Sequence, residues 1–148
     1  MINIELKELK KFLHGIHEAS VKEKGMRNEI EMIKDRINAL RDVSAKAYSL
    51  AAGGGSLKDV TYMKAEKVVD TYEREIVVLL WEVAEIQRMR ARLNELFKVL
   101  EPVERNVITA KYVDNVKWDY MSDKIFLSRA QCFRIHDRAI FKMLNVKE

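Results

Sequence analysis

Apolar residues recur at intervals of three or four along the first third of the chain. Leu9, Phe12, Ile16, Ala19, Met26, Ile30, Ile33, Ile37, Leu40, Ala47 and Ala51 keep step, with Glu23 and Ser44 on the two remaining rungs. Side chains so spaced share one face of an α-helix, because 3.6 residues complete a turn. Gly15 and Gly25 interrupt the run, each costing up to about 1 kcal/mol against alanine, so a kink near Gly25 or two collinear helices is expected. A second ladder, Val69, Tyr72, Ile76, Leu79, Val83, Ile86, Leu93, Phe97 and Leu100, alternates three and four with one break at Arg90, the spacing that favours coiled-coil packing. Val77, Leu80, Trp81 and Met89 widen its stripe, which predicts more than one neighbour for this helix. Between the ladders the tract Ala51-Ala52-Gly53-Gly54-Gly55-Ser56 opens a loop read as 51–61. Two amphipathic helices joined in this way bury their stripes as an antiparallel hairpin, or against a second chain, so residues 1–100 are expected to mediate self-association or partner binding.

The pattern changes at Pro102. Proline is tolerated in a first helical turn, and Glu101 and Glu104 suit the positive end of a helix that starts there. Its apolar positions Val103, Val107, Ile108 and Ala110 run on to Tyr112 and Val113, and Asp114-Asn115 signals a turn. Trp118, Met121 and Ile125 then share a face of a short helix; Phe126-Leu127 leads to Ser128, whose hydroxyl can cap a final helix from 129 to about 145. A short helix, a tight turn and a capped second helix match the helix-turn-helix, whose second helix enters a major groove. The fold class expected is all-α, with a hairpin over 1–100 and a helix-turn-helix over 101–148.

Charge sharpens this picture. Residues 1–100 carry 18 basic and 16 acidic side chains, a near balance, whereas from Ser128 to Lys147 the cations Arg129, Arg134, Arg138, Lys142 and Lys147 face Asp137 alone, a net +4. Cations gathered on one helix are what phosphate neutralisation needs. Arg129, Gln131 and Arg134 fall in the first two turns after Ser128, where a docked helix approaches base edges, and arginine and glutamine can form paired hydrogen bonds to guanine or adenine. Arg138 and Lys142 lie further along and are expected to reach phosphates. Phe133 lies off the inward stripe Cys132, Ile135, Ala139, Ile140 and Met143; it is a candidate for a thymine methyl or a protein partner, or for simple contact with the first helix of the module. The expected DNA-binding set is therefore Ser128, Arg129, Gln131, Phe133, Arg134, Arg138 and Lys142.

Other classes of function find little footing. Only 5 Gly and 1 Pro punctuate 148 residues, too few for an all-β sandwich, and the single Cys excludes an internal disulfide. The longest apolar run spans 76–81, far short of the roughly 20 residues that cross a bilayer, so no membrane partner is expected. Charges among the first eleven residues interrupt any secretory signal, and a cytoplasmic location is expected. His14 and His17 share a helix face, but no Cys or carboxylate cluster completes a metal site. Cys132 and His136 have the spacing of a thiol beside an imidazole, yet both fall on the inward stripe and read as packing. Gly53-Gly54-Gly55 lacks the Lys and Ser/Thr of a phosphate-binding loop. Neither a cofactor nor an enzymatic activity is expected.

The C-terminal residues resemble region four of the bacterial sigma factors, and more closely the phage-encoded ArpU-type transcriptional regulators built on that module. Leu100-Glu101-Pro102-Val103-Glu104-Arg105 through Ala110-Lys111-Tyr112-Val113 is similar to the opening helix, Trp118 to Ile125 to the first motif helix, and Ser128-Arg129 onward through Arg134-Ile135-His136-Asp137-Arg138-Ala139 to the recognition helix. The long helical leader with Leu40-Arg41 extends the likeness over the whole chain. Two positions depart from it: Phe126 stands where a turn glycine is usual and Ser122 where alanine is, which predicts a distorted turn. The sigma segment that binds the promoter minus-ten element has no counterpart, so a full sigma factor is not implied. The resemblance implies a regulator of phage or prophage genes that binds double-stranded DNA, with RNA polymerase as a further partner and a homo-oligomer as its form. Two rivals are kept: the DNA-recognition subunit of a viral packaging machine, which would assemble a ring, and a helical adaptor that does not bind DNA, consistent with the modest overall charge.

Overall fold

The computed structural model describes the backbone of residues 2–50 and 55–146 and the side chains of 5–50 and 62–146. Among these the chain is all-α, without a strand: α1 (Ile2–Leu50), α2 (Gly55–Phe97), α3 (Pro102–Ile108), a π-helical turn (Thr109–Val113), α4 (Trp118–Ile125) and α5 (Arg129–Leu144). The helix α1 runs unbroken through Gly15 and Gly25. The cost of a helical glycine is about 1 kcal/mol, and burial of the neighbouring Ile16 and Met26 outweighs it. At Gly55 α2 already begins, so the segment 55–61 read as loop is helix, while 51–54, with the rung at Ala51, lie outside the described residues.

The chain forms two compact units, one of residues 23–85 and one of residues 1–22 with 86–148. In the first, Ile33 and Ile37 of α1 bury themselves with Val69 of α2, and Leu40, Tyr72, Ile76 and Leu79 close around them. The pairing is antiparallel, since Arg41 meets Glu73 at 3.2 Å while the later Tyr48 meets the earlier Tyr62. The polar rungs of the α1 ladder occupy the seam as its period requires: Glu23 is buried and bonds to Arg27 one turn on, and Ser44 is buried too. Of the additional apolar positions of α2, Met89 is half-buried against the core that holds Leu93, whereas Val77, Leu80 and Trp81, together with Val78, stand exposed.

The second unit is larger than the segment 101–148. Leu9, Leu13 and Ile16 of α1 and Leu93 of α2 share one core with Leu100, Ile108, Tyr112, Ala139, Ile140 and Met143. The helix-turn-helix thus uses the ends of α1 and α2 as part of its own interior, and the compact units part within those helices rather than at residues 100–101. Such a short module has too little apolar surface to enclose itself, and the borrowed helix ends supply the missing face.

Candidate nucleic-acid interface

Local chemistry at each helix end positions the module. Glu101 and Glu104 form a reciprocal capping box with Pro102 in the first turn, which starts α3. The chain leaves the π-helical turn through Asn115 at φ 57°, where the Val116 N–H donates to the Ala110 carbonyl at 2.8 Å; asparagine tolerates this left-handed conformation. Met121 of α4 is buried with Ala110 and Cys132, and Val116, Trp118, Ile125 and Leu127 close around them. The turn between α4 and α5 keeps the geometry a glycine would give: Phe126 sits at φ 64°, ψ 32°, its N–H donating to the Ser122 carbonyl at 2.9 Å and its ring 89% exposed. Holding a non-glycine residue there costs about 1–2 kcal/mol, so strain replaces the distortion expected from sequence. Ser128 then caps α5, accepting from the Gln131 N–H at 3.2 Å.

The structure distributes the expected site residues among different tasks. Ser128 and Gln131 close a second capping box, in which Gln131 Oε1 accepts from the Ser128 N–H at 3.1 Å. Arg129 pairs with Asp119 of α4 at 3.0 Å and lies over the Phe133 ring. Phe133 stacks on Trp118 with centroids 4.3 Å apart, which with the Arg129–Asp119 pair ties α5 to α4, and Lys111 of the π-helical turn lies over the Trp118 ring. Arg138 and Lys142, expected to reach phosphates, turn instead to Glu104 at 3.3 and 2.7 Å. Arg134 is exposed and has no ion-pair or hydrogen-bond partner among the described residues. It faces away from the buried set Cys132, His136, Ala139, Ile140 and Met143, on the outer side of α5. Lys147 lies outside the described residues.

Glu104 is the residue that sequence reasoning did not single out as part of this face. Its carboxylate is fully buried and accepts the Glu101 N–H, Lys142 Nζ and Arg138 Nε. Burial pushes its pKa up, but the hydrogen bond from Lys142, with those from Glu101 and Arg138, more than offsets this and holds it below its ordinary value. The capping-box spacing was the only local sign; its partners lie 34 and 38 residues away. Lys117 occupies the cap position of α4; its carbonyl accepts the Tyr120 N–H at 2.9 Å, and its exposed ammonium has no partner among the described residues.

Behind this face His136 joins α5 to the π-helical turn. Its Nδ1 lies 3.1 Å from Asp137 Oδ1 and its Nε2 lies 2.7 Å from the Tyr112 hydroxyl. With Nδ1–H donating to the carboxylate, Nε2 accepts the tyrosine O–H, an assignment that follows from the partners. Burial lowers the His136 pKa and raises that of Tyr112, which keeps both neutral. Cys132 is wholly buried and burial pushes its thiol up, away from reactivity. His14 meets Tyr112 edge-on and His17 Nδ1 bonds to the Val113 carbonyl at 2.8 Å, so the two imidazoles that share a helix face brace the same turn. Among the described residues no group of three His, Cys, Asp or Glu is arranged to hold a metal, and no helix is long and apolar enough to cross a membrane. Comparison of the chain with known protein families, with curated proteins and with solved structures returns no match.

Proposed function

We propose that this chain is a sequence-specific, cytoplasmic DNA-binding regulator of phage or prophage genes, of the ArpU type, acting on promoter DNA as a homo-oligomer with RNA polymerase as a further partner. The observation that carries the reading is the outer face of α5. A capped recognition helix, tied to α4 by the Trp118–Phe133 stack, presents Arg134 with no partner of its own. A guanidinium so held is free to form a bidentate contact to guanine, and its stiff support keeps the loss of side-chain freedom on docking small. Lys117, exposed at the positive end of α4, is free to supply a phosphate contact. The face is leaner than its sequence charge: Arg129, Arg138 and Lys142 are each matched by a carboxylate, so they contribute position rather than free cationic surface.

That same pairing favours one second reading, an adaptor that keeps the fold without binding DNA. One experiment separates the two. A duplex selected from a randomised library by the full chain is compared with an unselected duplex by fluorescence anisotropy at one salt concentration. The regulator reading expects selection of a defined site and a loss of about 5- to 150-fold on that site for Arg134→Ala, with little change on the unselected duplex. Lys117→Ala weakens both alike. Failure of the intact chain to enrich any site, or equal losses on both duplexes for Arg134→Ala, refutes base reading by this face.

A further inference from the structure

The least explained surface of the molecule is on α2, within the unit of residues 23–85. Trp81 is 75% exposed, Val78 58% and Val77 49%, on the side of the helix opposite the buried Val69 and Val83. Isolated exposed apolar residues are ordinary; a tryptophan and two valines clustered at helical spacing are not. Charges bracket the cluster on the same side, Asp70 and Arg74 before it and Glu85 after it. Beside Val78 a groove of about 390 Å³ opens between the two helices of this unit, lined by Glu29, Thr71, Arg74, Glu75, Val78 and Leu79.

We propose that this strip is the contact through which two copies of the chain associate, in antiparallel two-fold fashion, each placing its Trp81 over the other's Val78 and its adjoining groove. The order of residues selects both occupant and direction. A second copy laid antiparallel with Val78 opposite Trp81 brings Arg74 opposite Glu85 at both ends, because each pair is centred on the same point of the helix. A parallel copy in register instead sets Arg74 against Arg74 and Glu85 against Glu85. Opposite charges at the rim of an apolar contact fix orientation and register, and like charges penalise the alternative. The two-fold arrangement satisfies every contact twice, as an isologous interface requires, and it closes at two subunits, unlike the ring of a packaging subunit. An indole entering a groove is also the usual anchor of a small interface. The inference deepens the self-association part of the proposed function; it needs no DNA, so its fate and that of base reading are measured separately.

The test is the mass of the full chain in DNA-free buffer by sedimentation equilibrium over a range of concentrations, with far-ultraviolet circular dichroism to verify helicity. Wild type is expected to approach twice 17.3 kDa. Trp81→Lys is expected to raise the dimer dissociation constant about thirtyfold or more with helicity unchanged, since the side chain packs on little in its own chain. Arg74→Glu and Glu85→Arg are each expected to weaken the dimer, and the double exchange to restore it. A wild-type monomer at all concentrations overturns the proposal and leaves the strip to a different protein. So does a larger assembly, a dimer indifferent to Trp81→Lys, or a double exchange that fails to recover what the single ones lose.

Discussion

Replacing Glu104 by glutamine tests the contact on which the electrostatics of the outer face of α5 depends. Glutamine keeps the volume and one carbonyl oxygen, so the capping bond from the Glu101 N–H can survive; what goes is the negative charge shared by Lys142 and Arg138 at 2.7 and 3.3 Å. Hydrogen bonds to a charged group contribute about 1.5–3 kcal/mol each, and breaking a wholly buried pair costs about 3–5 kcal/mol. The carboxylate is fully enclosed, but the cations are not: 52% of the Arg138 side chain and 32% of Lys142 remain exposed, so both rehydrate when released. A loss of about 2–3 kcal/mol is therefore expected, lowering Tm by about 5–10 °C. Urea unfolding followed by Trp118 fluorescence in a Trp81→Phe background reports on the unit that contains the contact. A double-mutant cycle with Lys142→Met isolates the pair, with a coupling of about 1–2 kcal/mol expected. A change below about 0.5 kcal/mol would class the contact with ordinary surface ion pairs and refute its structural role. The variant should also release two cations toward DNA and steepen the salt dependence of binding by about 0.9 per additional phosphate neutralised.

Other outcomes follow from single positions. Phe126→Gly removes the left-handed strain of a ring that is 89% exposed, and after the larger chain entropy of glycine is deducted should stabilise the protein by about 0.5–1 kcal/mol, read as a higher urea midpoint. Loss of stability would show that the exposed ring packs on something in solution. Stability should also fall with acid in two phases. The folded-state pKa of His136 is lowered by burial below 6.5, so as pH drops through 6.5 the unfolded chain takes up a proton that the folded chain refuses, and stability declines until the folded pKa is reached. The Glu104 pKa is lowered below 4.5, so its contribution is intact above that value and is lost as pH falls through the folded pKa. Glu104→Gln should erase the second phase and leave the first, measured as urea midpoints from pH 7 downward; persistence of both would reassign the lower one.

The period of the apolar residues was enough to set out the helices. A run repeating every three to four positions can bury itself only as a helix, so α1, α2 and their seam were legible, including the polar rungs Glu23 and Ser44. So were Ser128 as a cap and the inward stripe Cys132, Ala139, Ile140 and Met143, with Ile135 at its half-buried margin, because capping and facing are local properties of spacing. What periodicity does not carry is the identity of the partner across space. It marked Arg138 and Lys142 as outward cations, correctly in angle, but Glu104 arrives beside them from another helix and binds them. It placed Phe133 off the core with the first helix of the module as one of three possible contacts, and folding selected that one by bringing Trp118 to stack on the ring. It predicted a wide stripe on α2 with more than one neighbour, and the three-dimensional arrangement packed Met89 but left Val77, Leu80 and Trp81 uncovered. It divided the chain at Pro102, where the backbone pattern breaks, whereas the core of the helix-turn-helix draws in Leu9, Leu13 and Leu93 because compactness depends on which apolar surfaces meet. Local geometry is dictated by neighbours along the chain; charge pairing, ring stacking and unit boundaries depend on neighbours brought together by folding, and only the tertiary structure could decide them.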